Sequence, residues 1–187
     1  MNDIITFLDT NCIPYEEKVK LSSKTWLKTG GTATLWVCPD TINQLITLLE
    51  YCYENAIPRE VIGHTSNIYY VDTYNPDLII STSRLRYYAD TDNYIECECG
   101  VPVTILSRHA VEKGYIGYSG LVNLPGTIGA SLCNNSSCFD CSVSEHLIDA
   151  DFFNEETGII EKLTPSQFEY SHRNSNIKNG KLKGVIL

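Results

Sequence analysis

The sequence predicts an α+β fold, built as one domain or two small lobes, on three observations. Residues 33–62 read as a β-α-β unit, the remainder mixes short strands with helices, and no internal repeat or low-complexity linker interrupts them. A length of 187 residues is enough to bury a real core, and fractions of 43% hydrophobic and 20% charged residues are ordinary for a globular protein.

Taken in order, Ile4, Ile5, Phe7 and Leu8 predict a short amphipathic helix ending near Asn11. Residues 14–32, with Pro14 and the Gly30-Gly31 pair, read as an extended connection. Residues 33–38 are the apolar run of a buried strand. Asp40 or Thr41 caps the next helix, whose Ile42, Leu45, Ile46, Leu49 and Cys52 recur at helical spacing until Asn55 and Pro58 end it. Residues 59–62, 78–81 and 94–99 are further strands. Thr104 caps a second helix carrying Ile105, Leu106, His109 and Ala110, and Gly114 fits the position just past its end. Gly and Asn recur from 114 to 135. Residues 147–153 and 158–163 form a hairpin, Thr164-Pro165-Ser166-Gln167 opens a third helix with a capping box, and Val185-Ile186-Leu187 begins another strand.

Charge narrows the partners. A net charge of −9 and a pI near 4.8 disfavour nucleic acid and anionic membrane surfaces. The longest apolar runs are too short to cross a bilayer, and Met1-Asn2-Asp3 lacks the features of a signal peptide, so a cytoplasmic protein is expected. With few lysines and arginines, a phosphate-bearing ligand would rest mainly on backbone N–H groups and helix N-termini.

The eight cysteines, without an export signal, are expected as reduced thiols. Cys133, Cys138 and Cys141 have the C-x4-C-x2-C spacing of a plant-type iron–sulfur site. No cysteine follows Cys141, so Cys97 or Cys99 would have to supply the fourth thiolate. Small buried or loop thiols are the favoured reading, and no metal is assigned.

Three loops combine small residues with reachable backbone: Lys28-Thr29-Gly30-Gly31-Thr32, Gly63-His64-Thr65-Ser66-Asn67, and Leu124-Pro125-Gly126-Thr127-Ile128-Gly129-Ala130-Ser131. Such turns make anion-binding concavities, though most Gly-Thr and Gly-Ser turns are structural. Neither GxGxxG nor the Walker P-loop occurs. A fourth segment, from Phe168 to Lys178, gathers His172, Arg173 and Lys178. Its basic groups fit either a solvated turn after a helix or an arginine aimed at substrate charge.

In order and spacing the four segments resemble UDP-N-acetylenolpyruvoylglucosamine reductase, a flavoenzyme of peptidoglycan precursor synthesis. Thr25-Trp26-Leu27-Lys28-Thr29-Gly30-Gly31-Thr32-Ala33 is similar to that family's T-T-F-[RK]-I-G-G-P-A, and Gly63-His64-Thr65-Ser66-Asn67 to its G-x-G-S-N. Cys99-Gly100-Val101-Pro102 with Gly114 and Gly120 resembles A-G-V-P…G-L-x-G. Leu124-Pro125-Gly126-Thr127-Ile128-Gly129-Ala130 is close to I-P-G-T-V-G-G, and Asn135 falls on the asparagine of Q-N-x-G-A-Y-G. His172-Arg173-Asn174-Ser175-Asn176-Ile177-Lys178 resembles Y-R-D-S-x-F-K. The resemblance runs from about residue 15 to the end.

It implies a two-lobed FAD-binding fold of the vanillyl-alcohol-oxidase type, with residues 1–72 as the first lobe and 73–187 as the second. The family's third, substrate domain is expected to be absent. FAD would lie between the lobes, contacted by Gly63, His64, Thr65, Ser66, Asn67, Gly100, Pro125, Gly126, Thr127, Ile128, Gly129, Ala130 and Asn135. The pyrophosphate would rest on backbone N–H groups of the second and third loops. NADPH is the family's reductant, the enolpyruvyl ether of UDP-N-acetylglucosamine its substrate, and Arg173 matches the arginine that stabilises the enolic intermediate. The family's proton-donor serine and assisting glutamate fall after the matched part, so reduction of the enolpyruvyl nucleotide by this chain alone is not expected. Within the matched part, Thr65 stands for a glycine, Thr32 for a proline, Phe139 for a tyrosine and His172 for another tyrosine. Three readings follow: part of a reductase whose remainder lies downstream, a stand-alone FAD-binding paralogue without reductase activity, or a non-catalytic interaction protein on the same scaffold.

Overall fold

A computed structural model describes residues 2–187. The chain divides into two compact units, Met1–Leu85 and Arg86–Leu187.

The first unit begins with helix α1 (Asn2–Thr10), followed by strand β1 (Tyr15–Lys20), a 3-10 turn at Leu21–Ser23, and β2 (Thr32–Val37). Helix α2 (Ile42–Glu54) starts where Thr41 Oγ1 accepts the Gln44 N–H, and it buries Leu45, Leu48, Leu49 and Cys52. Phe7 of α1 stacks on Tyr51 of α2 with ring centroids 3.8 Å apart. β3 (Glu60–Ile62) and β4 (Leu78–Ser81) complete a four-stranded sheet of order β1-β2-β4-β3. β1 is antiparallel to β2, and β4 runs parallel to both its neighbours.

Two expectations change here. Residues 14–32 are no mere connection, because β1 pairs along β2 from Tyr15 to Lys20. It is an edge strand with only Val19 buried, so it carries no hydrophobic alternation to read. The strands of the β-α-β unit, β2 and β3, are not neighbours, since β4 lies between them. All four β4 side chains are buried, as a central strand requires. This is why the first unit runs on to Leu85 and does not stop at the expected residue 72.

The second unit opens with a short antiparallel pair, β5 (Tyr88–Asp90) and β6 (Ile95–Cys97). Helix α3 (Val103–Glu112) has its N-cap two residues before the expected Thr104, at Pro102, which offers no side-chain cap. The carbonyl of Gly126 takes the Val103 N–H instead, at 3.0 Å. At its far end Gly114, at φ +85°, donates to Val111 while Tyr115 donates to Ala110, which closes the helix in a Schellman motif. A 3-10 turn at Ser119–Leu121 leads to helix α4 (Ile128–Asn134), unexpected in so glycine-rich a stretch. A two-residue hairpin follows, β7 (Ser137–Cys138) and β8 (Cys141–Ser142), then a 3-10 turn at Val143–His146.

β9 (Ala150–Asn154) and β10 (Ile160–Leu163) form the expected hairpin. α5 (Pro165–Phe168) is a single turn begun by the predicted capping box, in which Gln167 Oε1 accepts the Thr164 N–H at 2.9 Å. β11 (Gly184–Ile186) pairs with the other edge of β9. Phe152 and Phe153, on opposite faces of β9, and Phe168 are fully buried, and truncating one to alanine would cost about 3–5 kcal/mol.

Candidate functional site

In the first unit two glycine-bearing loops are tied together. Thr65 stands at φ +55°, a left-handed conformation that costs a β-branched residue about 1–2 kcal/mol. Its hydroxyl accepts the Trp26 N–H at 2.9 Å, so the side chain that strains one loop also anchors the other. Gly31 is glycine for want of space: a Cβ there would lie 2.6 Å from the Tyr74 carbonyl oxygen and 2.7 Å from that of Asp72. The first candidate loop is thus packed onto residues 72–75, and Thr32 N–H donates to Asn75 Oδ1 at 2.8 Å.

Gly63 and His64 line a cavity of about 500 Å³ together with Thr25, Trp26 and Lys28. Ser81, at the end of the central strand, and Ser83 and Arg84 just past it, form another wall. Lys24, Lys28 and Arg84 against Glu16 give this cavity an excess of positive charge in a chain of net −9. Lys24 pairs with Glu16 at 2.6 Å, and Arg84 with Asp40 at 2.9 Å. Thr65 is buried, Ser66 half-buried and Asn67 exposed, and none of the three lines this cavity. Sequence reading missed the contribution of Ser81, Ser83 and Arg84. Their signal was position alone: in a parallel sheet, ligands gather at the carboxyl ends of strands.

In the second unit the segments around Gly100 and Gly126 are brought side by side. Pro102 and Thr127 form an antiparallel bridge, Ile128 N–H donates to Val101 O and Gly129 N–H to Cys99 O, each at 2.9 Å. A Cβ on Gly129 would lie 2.8 Å from Cys99 Cβ, so glycine is what lets α4 start against this turn. Within the 125–130 loop the N–H groups of Ile128 and Gly129 are therefore spent on this packing. Thr127, at the N-cap of α4, is fully buried, and its Oγ1 has no hydrogen-bond partner among the described residues. A buried hydroxyl without a partner is costly, which marks it as a group built to meet something else. Pro125 is exposed, Gly100 and Gly126 are buried, and Ala130 is half-buried.

Asn135 ends α4 at φ +46°. Both ends of its amide are engaged: Nδ2 donates to Ser171 O at 2.7 Å, and Oδ1 accepts from Ser144 at 2.6 Å. The residue therefore positions the tight turn from Ser171 to Asn174 that carries His172 and Arg173. Ser175, fully buried, adds a second tie by donating to Cys133 O at 2.6 Å. Arg173 is exposed at φ +56° and directs Nη2 to Ser137 O at 2.8 Å, while Lys178 Nζ donates to the Arg173 carbonyl. The Tyr170 hydroxyl is buried without a hydrogen-bond partner among the described residues, and burial pushes its pKa well up. The basic cluster read from sequence is thus assembled on one stapled turn.

The three thiols with iron–sulfur spacing are not gathered to a common point among the described residues. Cys141 instead faces Glu145 and His146.

A profile of the FAD binding domain family matches residues 33–164. The UDP-N-acetylenolpyruvoylglucosamine reductase of Caldicellulosiruptor saccharolyticus is 31% identical over 162 residues, covering 87% of this chain and 52% of that protein. The reductase of Caldicellulosiruptor bescii is 30% identical over 176 residues, covering 94% and 56%. The chain spans about half the length of the curated relatives it matches. Among solved structures, UDP-N-acetylenolpyruvylglucosamine reductase from Thermus caldophilus matches with a TM-score of 0.76 at 22% identity, over 93% of this chain and 60% of that one. A cholesterol oxidase matches with a TM-score of 0.60 at 13% identity, over 81% and 33%. At such identities the likeness is one of fold, the α+β, two-lobed FAD-binding fold of the vanillyl-alcohol-oxidase type. No helix among the described residues is long and apolar enough to cross a membrane.

Proposed function

The chain belongs to the family of FAD binding domains, and from that premise we propose that it holds FAD and supplies the flavin-and-arginine part of UDP-N-acetylenolpyruvoylglucosamine reductase chemistry. The observation that carries the reading is the buried, unpartnered hydroxyl of Thr127 at the head of the 125–130 loop. The first unit adds a cavity whose lysines and arginine suit a pyrophosphate in an otherwise acidic chain. Gly63, His64, Gly126, Thr127 and Ala130 are the residues assigned to holding the cofactor.

When bound, FAD supplies hydride for the enolpyruvyl double bond, with NADPH as the source of reducing equivalents. Arg173 places a permanent positive charge where the substrate's enolate develops, and its position is kept by Asn135 and Ser175. The cytoplasm, where peptidoglycan nucleotides are made, is the proposed compartment.

Absorbance and flavin fluorescence on purified protein test the first part. Yellow protein, or saturable quenching when FAD is added, is expected, and Thr127→Val should weaken binding about tenfold, as loss of one hydrogen bond to an anion would. Colourless protein that leaves added FAD unchanged would overturn it. For the second part, the enolpyruvyl nucleotide should perturb the bound-flavin spectrum, with about tenfold or greater loss of apparent affinity in Arg173→Ala. FAD binding with no response to the nucleotide would leave the cofactor assignment standing and remove the substrate.

A further inference from the structure

The β7–β8 hairpin and the 3-10 turn after it build a constellation outside the residues assigned to FAD. Cys141 ends the hairpin's turn, and the sequence Cys141-Ser142-Val143-Ser144-Glu145-His146 folds back so that three different ligand types meet. One ligand atom each from Cys141, Glu145 and His146 lie within 4.8 Å of one another. His146 Nε2 is 3.5 Å from Cys141 Sγ. Zinc bonds of about 2.3 Å to sulfur and about 2.0 Å to nitrogen at a tetrahedral angle set those two atoms about 3.5 Å apart. The spacing is that of a coordination edge.

The imidazole is also held in place before any ion arrives. Tyr118 stacks on its face with centroids 4.0 Å apart and planes 22° apart. Gly117 lies against it, where a Cβ would come within 2.7 Å of His146 Cε1. The Gly117 carbonyl accepts from the Cys141 thiol at 2.7 Å and lies 3.2 Å from His146 Nε2. At 2.7 Å it is nearer the sulfur than two ligands of one ion would sit, so it is a hydrogen-bond partner of the ion-free thiol and not a ligand, and that bond is given up when the thiolate takes the ion.

We infer that Cys141, Glu145 and His146 form a binding site for a divalent transition-metal ion of the zinc class, with water in the fourth position. The chemistry of the set selects such an ion. Thiolate and imidazole suit borderline-soft metals, and the carboxylate with the thiolate balances a dication. Cys141 is buried while Glu145 is exposed, so the ion has an open route through the carboxylate side. A dication bound at the sulfur favours the thiolate over the thiol. Binding therefore releases the thiol proton: the S–H bond breaks, a metal–sulfur bond forms, and no electron moves.

The test uses the full chain, reduced and freed of metal by a chelator, with Co²⁺ as the spectroscopic probe. One equivalent should produce tetrahedral ligand-field bands and a thiolate-to-cobalt charge-transfer band, with about one proton released per ion, and Zn²⁺ should abolish them by displacement. Cys141→Ser and His146→Ala should each lose the charge-transfer band or weaken binding about a hundredfold, and Glu145→Gln should weaken it about tenfold. Cys12→Ser and Cys133→Ser should behave as the parent protein. No charge-transfer band in the parent protein would overturn the site. So would a band that survives unchanged in Cys141→Ser or in His146→Ala, the latter a substitution at a partly exposed position. A Glu145→Gln protein that binds as tightly as the parent would overturn the three-ligand assignment.

Discussion

Trp26 donates its N–H to Thr65 Oγ1 at 2.9 Å, and this bond joins the two glycine-bearing loops of the first unit. It explains how a threonine stands at φ +55°, where a glycine would be unstrained. Thr65→Val keeps the branched shape and the strain but removes the acceptor, so a loss of about 1–2 kcal/mol is expected in urea unfolding. Thr65→Gly loses the same bond but relieves the strain, so it should be less destabilised than Thr65→Val. The reverse order would show that the positive φ at this position carries little strain.

Gly129 tests the packing that sets the second loop. Gly129→Ala drives a methyl to 2.8 Å from Cys99 Cβ, and a cost of about 1–3 kcal/mol is expected because backbone must shift on both sides. Combining it with Cys99→Gly removes the obstructing atom. The double variant should recover part of the loss relative to the sum of the singles, measured as a coupling energy in a mutant cycle.

The thiols divide by environment. Cys97 is pushed up to about 11 by burial, with Glu96 and Glu98 adding to it. Cys12 is exposed. At pH 8 iodoacetamide should therefore label Cys97 at about a hundredth of the Cys12 rate or less, since the thiolate is the nucleophile. Peptide mass spectrometry over a time course reads both rates, and the gap should narrow as the pH approaches the Cys97 value.

Asp90 gives a pH signature. Hydrogen bonds from Lys113 at 2.9 Å and from His109 at 2.8 Å lower its pKa below the usual carboxylate value. A carboxylate lowered in the folded state contributes stability that is fully present above its unfolded pKa of about 4 and is lost as pH falls through the lowered folded value. Asp90→Asn should therefore be less stable than the parent at pH 6, with the difference vanishing near pH 2. Chemical denaturation at the two pH values measures it. An equal difference at both would exclude the linkage.

The sequence by itself determined the elements whose signals are local. Thr41 at the head of α2, the capping box at Thr164, Gly114 after α3 and the apolar periodicity of Leu45, Leu49 and Cys52 need only neighbours a turn away. The ordered loops also carried the family and its fold. Tertiary structure alone decided that β4 lies between β2 and β3, that β1 forms an edge, and that the first unit ends at Leu85. Strand order depends on pairings between segments far apart in sequence, and no local period records them. It likewise decided the chemistry available at each site residue. The Ile128 and Gly129 N–H groups go to Val101 and Cys99, the Asn135 amide goes to a distant turn, and the Thr127 hydroxyl is left buried without a partner. A residue's type states which bonds it can make. Only its surroundings state which of them are already made.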